Sequence, residues 1–147
     1  METGAADYRE AAVNNLEAAV SAHELGLYVV SHYLSGLAVE CLLRAYRWRI
    51  DPKWDGRHNL ARLLLESGLN QIVSAAAQDE FAKHFTEVAR RWRSEHRYSS
   101  NAKMIRFLND LHATVNVKGD KLKENSRIML SAANYLLGLS ERKWNQR

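Results

Sequence analysis

The stretch Arg90-Arg91-Trp92-Arg93-Ser94-Glu95-His96-Arg97-Tyr98 gathers the side chains of this sequence best suited to act on a phosphate. Guanidinium groups grip phosphate oxygens through paired hydrogen bonds. Histidine titrates near neutral pH, so it can take or give a proton. Arg91 and His96 stand five residues apart. In RNA cleavage such a pair divides the work. The imidazole takes the 2′-hydroxyl proton or protonates the leaving oxygen, and the guanidinium stabilises charge on the phosphorane. Five residues of continuous helix rotate by about 140°. The two side chains therefore converge only if the helix bends or ends between them, and an ending near Ser94 is expected. Arg90, Arg93 and Arg97 are spaced to share one helical face and, with Tyr98, form a candidate RNA- or nucleotide-binding set. Arginines near a helix C-terminus are also favoured by the helix dipole without any ligand. A solvated face is the plainer account of them.

A second basic group, Arg44, Arg47 and Arg49, lies at the end of a long apolar helix. If antiparallel packing brings it beside residues 90–97, the two form one patch. Glu40, in the same helix, has a simple role as an i, i+4 partner of Arg44. Its alternative is a supporting one, orienting an arginine or histidine of the site. Other chemistries are not signalled. There is no glycine-rich phosphate loop, no Gly-x-Ser-x-Gly and no His-Glu-x-x-His. The histidines at 23, 32, 58, 84, 96 and 112 show no i, i+3 or i, i+4 spacing. Cys41 is the only cysteine and sits in an apolar helical run, which excludes an internal disulfide and reads as core. No metal and no cofactor is expected.

These residues need elements to position them. The chain has 147 residues, 46% hydrophobic and 26% charged, enough for one globular domain with a buried core. One proline and seven glycines leave long unbroken stretches, which favours helices. The reading is all-α, a compact antiparallel bundle of five to six helices in a single domain over 1–147. The first helix spans 5–21, with Tyr8, Ala12, Leu16 and Ala19 at helical steps and alanines that permit a close neighbour. The second spans 27–48 on a broad stripe of Leu27, Val30, Leu34, Leu37, Ala38, Cys41, Leu42 and Ala45. Gly36 inside it implies a close approach. Pro52 stops it, and 51–57 reads as a polar loop. His58 starts a short helix that ends at Ser67-Gly68. A helix over 72–93 carries Phe81, Phe85, Val88 and Trp92 inward. A serine at 99 or 100 caps the next, 102–114, with Ile105, Leu108 and Leu111 or His112.

The last helix, 122–142, has two apolar stripes: Ile128, Ala132, Tyr135, Leu136 and Leu139, and Met129, Ala133 and Leu137. That width fits either a homodimer surface or a deep groove in its own bundle. Residues 143–147 read as a frayed tail. Residues 1–6 lack a basic start with an apolar stretch, and no apolar run nears the ~20 residues that span a bilayer. A cytoplasmic protein without membrane contact is expected. The net charge of +4 is compatible with a polyanion partner.

Ala38-Val39-Glu40-x-x-Leu43-Arg44-Ala45 resembles the "AvE-x-x-LKA" signature of HEPN domains, the helical domains of higher eukaryotic and prokaryotic nucleotide-binding proteins. Asp7-Tyr8 with Ala11, Tyr33-Leu34-Ser35-Gly36, and His58 with Leu60 match the same pattern. Trp92 with Arg97-Tyr98 resembles its "W-x4-RY" form. The likeness covers roughly residues 5–100, and the last third matches only as helix. Many HEPN domains are RNases of toxin–antitoxin, abortive-infection and CRISPR systems, with an Arg-x(4–6)-His motif completed across a dimer. Others bind nucleotide or RNA, often beside a minimal nucleotidyltransferase. The resemblance implies a metal-independent endoribonuclease with Arg91 and His96 shared across a homodimer, and an antitoxin or nucleotidyltransferase partner. Its alternative is a non-catalytic nucleotide- or protein-binding module. Trp92 departs from the pattern, because a polar residue commonly follows the catalytic arginine.

Overall fold

Helical periodicity, glycine stops and serine, asparagine and aspartate caps set the architecture. The computed structural model describes residues 3–51 and 59–144, and among them it is all helix and turn. Seven α-helices run in the order α1 (Ala5–Glu24), α2 (Tyr28–Trp48), α3 (Leu60–Ser67), α4 (Leu69–Ile72), α5 (Gln78–Arg91), α6 (Asn101–Asp110) and α7 (Lys121–Lys143). Two 3-10 turns, Ala75–Ala77 and Ser94–Tyr98, precede and follow α5. No described helix is long and apolar enough to cross a membrane.

Several ends lie where turn chemistry places them. Gly26 and Gly68 adopt φ of 77° and 73° after α1 and α3. Asn59 Oδ1 accepts from Arg62 N at the start of α3, and Ser100 Oγ accepts from Lys103 N at the start of α6. The start assigned to His58 lies outside the described residues, as do Pro52 and most of the 51–57 loop. Asp120 Oδ1 accepts from Leu122 N and Lys123 N and opens α7.

Two helices differ from their expected spans. The helix over 72–93 is broken at Val73 and Ser74, both with extended backbone, so α4, a 3-10 turn and the shorter α5 replace it. α6 stops at Asp110 rather than 114, because His112 takes a left-handed φ of 57°.

The core forms around α2. α1, α3, α5 and α7 all pack on it. Ala12, Ala19 and Ala22 of α1 are buried, and Ser31 Oγ donates to the Ala19 carbonyl at 2.7 Å, so small residues bring these two helices close. Phe81, Phe85, Val88 and Trp92 are buried as their spacing predicts. Removing each such large side chain from water contributes roughly 1.5–3 kcal/mol. A smaller cluster of Val29, Met104, Leu108 and Leu122 ties α6 to the starts of α2 and α7.

α7 explains its own breadth. It touches α1, α2, α5 and α6 at once, and Met129, Ala132, Ala133, Leu136, Leu137 and Leu139 are all buried within the chain. Most of the two stripes is thus covered by the bundle itself, with Ile128 and Tyr135 half-buried. Of the tail read at 143–147, Lys143 ends α7 and Trp144 is held by Arg9 and Arg49, whose guanidinium carbons lie 4.4 and 4.1 Å from its ring centre; 145–147 lie outside the described residues.

α2 departs from expectation on one side. Ala38, Cys41, Leu42 and Ala45 are buried, but Leu27 and Val30 are 52% and 47% exposed, and Leu34 and Leu37 are only half-buried.

Candidate functional site

The chain leaves helical geometry where convergence of Arg91 and His96 requires it. Trp92 and Arg93 are extended, at φ/ψ of −109°/138° and −138°/148°, and the 3-10 turn Ser94–Tyr98 follows. This swings His96 back under the bundle. Arg91 and His96 are 5% and 4% exposed. No hydrogen bond joins them directly. Two residues that spacing did not single out, Asn125 of α7 and His32 of α2, join them.

The connections form one line. Arg91 Nε donates to Glu87 Oε2 at 2.7 Å, one turn back on α5. Arg91 Nη1 donates to Asn125 Oδ1 at 2.9 Å. Arginine only donates, so this bond fixes the amide orientation and leaves Asn125 Nδ2 to donate to His32 Nδ1 at 2.8 Å. His32 then carries its proton on Nε2 and donates to His96 Nδ1 at 2.9 Å. The backbone N–H of Arg93 also donates to His96 Nδ1, at 3.1 Å. His96 therefore carries its own proton on Nε2, which has no hydrogen-bond partner among the described residues. Its ring packs edge-on against Phe107 at 4.4 Å between centroids.

Burial holds both imidazoles neutral. His32 is lowered from 6.5 to about 3, chiefly by burial, then by the neighbouring His96 and Arg91. His96 is lowered to about 4, chiefly by burial and also by Arg93, with Glu95 opposing. At neutral pH His96 Nδ1 is an occupied acceptor.

Trp92 seats the turn. Its Nε1–H donates to the Tyr33 carbonyl at 3.0 Å, its ring stacks on Tyr33, and it lies on Gly36, where a Cβ would overlap the indole. The close approach that Gly36 implied is made by this side chain.

The basic residues separate into two groups. Because α5 ends at Arg91, Arg90, Arg93 and Arg97 do not share a helical face. Arg90 turns inward, Nη2 donating to the Leu111 carbonyl at 2.7 Å. Arg93 folds back on the end of α5, Nη1 donating to the carbonyls of Ala89 and Trp92 at 3.1 and 2.7 Å, yet the residue is exposed. Arg97 is exposed and lies over the ring of Tyr98, itself 77% exposed. A groove of about 300 Å³ runs beside Arg93, between Asn59–Ala61 and Ala89–Trp92.

No family model, curated protein or solved structure matches the chain.

The second basic group stays apart from this turn. Arg44 pairs with the buried Glu40 at 3.8 Å, the i, i+4 contact that spacing offered. Arg47 meets the Glu66 carbonyl and Asp51. Arg47 lies about 21 Å along α2 from Tyr33 at the helical rise per residue, so the two clusters do not merge into one patch. Among the described residues no three His, Cys, Asp or Glu side chains are placed to hold a metal ion. Cys41 is buried, and burial first, then Glu40, pushes its thiol up to about 11, which leaves it protonated and inert.

The signal for the missed partners was faint. His32 and Asn125 are polar residues on buried faces of apolar helices, but nothing in their spacing points to each other.

Proposed function

We propose that this chain is a HEPN-type helical domain that binds single-stranded RNA through the turn Arg93–Tyr98, and that Arg91 and His96 brace that turn rather than cut the strand. The observation that carries this reading is the satisfied line Glu87–Arg91–Asn125–His32–His96, which ends on the backbone N–H of Arg93. Arg91 is spent on protein partners, and His96 Nδ1 already accepts two hydrogens. What faces solvent is Arg93, Arg97 and Tyr98, cations beside an aromatic ring, with the groove at Asn59–Ala61 adjacent. Arginines supply phosphate contacts, and the exposed ring of Tyr98, with Arg97 over one face, offers its other face as a stacking platform for a base.

A second reading, RNA cleavage, has one observation in its favour. The Nε2–H of His96 is unpartnered and could donate a hydrogen bond to a charged phosphate oxygen.

Anisotropy of a fluorescent single-stranded RNA separates the two. Binding should weaken as salt rises, and by about 5-fold or more with Arg97→Ala or Tyr98→Ala, a loss matching the usual ~1–3 kcal/mol per stacked base. Affinity indifferent to salt and to both substitutions removes the turn from the reading. Metal-free cutting of the same RNA, abolished in His96→Ala, would replace the brace with a nuclease site.

A further inference from the structure

A groove of about 330 Å³ opens between α1 and α7, toward the end of the bundle where α2 finishes. The two helices run antiparallel over α2, Arg9 meeting Glu141 at one level and His23 meeting Ser126 at another. On that register Ala12 stands level with Gly138, and two such small residues leave the gap between the helices unfilled. Leu42 and Leu137 lie at its base, and Leu16 with the exposed Val13 makes the wall on α1. The size is at the lower bound of small-molecule sites, roughly 300–1,000 Å³.

Gly138 keeps this space open. Two glycines lie inside the described helices, Gly36 and Gly138. At Gly36 the indole of Trp92 takes the place a side chain would fill. At Gly138 a Cβ would meet only Arg142 Nη1, at an ordinary 3.8 Å. Glycine inside a helix is less stable than alanine. Neither a close neighbour nor a left-handed backbone asks for it here.

The walls select the kind of occupant. Tyr46 Oη donates to the Ser140 carbonyl, and Ser140 Oγ donates to that of Leu137, so these hydroxyls are already spent. A sugar or a nucleotide base would lose its hydration here without replacement. Beside Trp144, Arg9 and Glu141 neutralise each other. Glu17 lies ~12 Å along α1 from Arg9 at the helical rise per residue. It is exposed and makes no ion pair among the described residues. The groove thus carries one unbalanced negative charge, in a chain whose net charge is +4.

We infer that the α1–α7 groove binds a small amphipathic amine. Its hydrocarbon body lies between Ala12 and Gly138 over Leu42 and Leu137, and its ammonium group pairs with Glu17. An anionic amphiphile would meet Glu17 with like charge and could reach Arg9 only by displacing Glu141.

Methyl NMR during titration with octylamine reads the site. Signals of Leu16, Leu42 and Leu137 should move together and saturate in the millimolar range, while those of Leu108 and Leu122, in the smaller cluster, stay fixed. Octylamine should bind about 3- to 5-fold more tightly than octan-1-ol, the margin of one part-exposed ion pair. Glu17→Gln, at an exposed position, should erase that margin and leave octan-1-ol unaffected. Gly138→Leu should block both ligands, with a melting temperature at or above that of the wild-type chain. Four outcomes overturn the proposal: no saturable shift, octanoate binding as tightly as octylamine, a margin that survives Glu17→Gln, or a folded Gly138→Leu chain that still binds. Shifts at the same methyls that grow with protein concentration alone would give the groove to another copy and overturn it too. No RNA is present in the titration, so its failure leaves the RNA reading standing, and the converse also holds.

Discussion

The indole of Trp92 lies against the backbone of Gly36, with its N–H on the Tyr33 carbonyl one turn earlier. A methyl group at 36 would overlap the ring. Trp92 is 2% exposed and bounded by the core, so it has little room to yield. Gly36→Ala should lower stability by about 1–3 kcal/mol in urea unfolding, despite the better helix propensity of alanine. Paired with Trp92→Leu, the added cost of the alanine should shrink. Strict additivity of the two changes would show that they do not share this contact.

Asn125 is the hinge of the buried polar line. Asn125→Leu would leave Arg91 Nη1 and His32 Nδ1 without their partner, at a cost of about 2–4 kcal/mol. Asn125→Asp should act differently. The carboxylate still accepts from Arg91 but has no hydrogen for His32 Nδ1, so His32 must turn its own proton toward it. Nitrogen chemical shifts of the imidazoles should show that exchange of tautomer, and unchanged shifts would contradict the assigned direction of the line.

Stability should fall on mild acidification. His32 and His96 are held neutral, at about 3 and about 4 against 6.5 in the unfolded chain. The unfolded chain binds the extra protons first. Stability is therefore complete above pH 6.5 and is lost as pH falls toward those folded values. Each ring contributes a slope of up to ~1.4 kcal/mol per pH unit. Between pH 7 and 5 the loss should reach about 2–4 kcal/mol in urea titrations, and most of it should vanish in His32→Gln/His96→Gln relative to its own value at pH 7. A flat profile for the wild-type chain would mean that the rings are solvated.

The end of α7 should be ordered by Trp144. Its ring lies between the guanidiniums of Arg9 and Arg49 and edge-on to Tyr46 at 5.0 Å, and Arg49 donates to its carbonyl at 2.8 Å. Trp144→Ala should speed amide exchange over the last two turns of α7 and lower the melting temperature by several degrees, from two cation–π contacts of about 0.5–1 kcal/mol each plus lost burial. Exchange confined to the last turn alone would argue that the clamp is slack.

Periodicity makes the all-helical bundle legible, because only a helix returns an apolar side chain to one face at every third or fourth residue over several turns. It does not tell which apolar face is covered. The two overlapping rows of α7 exceed what one neighbour can bury and so resemble a surface, yet four helices cover most of them. The row from Leu27 to Leu37 has the pattern of core, yet Leu27 and Val30 are exposed while Leu37 packs against the core. The break at Val73-Ser74 leaves no mark in the sequence, because neither residue is a glycine or proline and Ser74 makes no side-chain cap. In the candidate site, local spacing singles out Arg91 and His96 but does not reveal their burial in one polar line. His32 and Asn125 sit 64 and 34 residues from the partners they bond, and only the fold brings them together.

The packing of Trp144 between Arg9 and Arg49 has a geometric corollary. Gly4 lies beside Trp48 and Glu141 is bound by Arg9, so residues near both described ends gather at the pole where α2 finishes. The Arg93–Tyr98 turn sits toward the opposite pole, where α2 begins. A polypeptide attached beyond either end would leave from the far side and not crowd the turn. A short linker joining the two ends, with a new opening cut at the exposed Leu25-Gly26 turn, should still let the chain close on the same core.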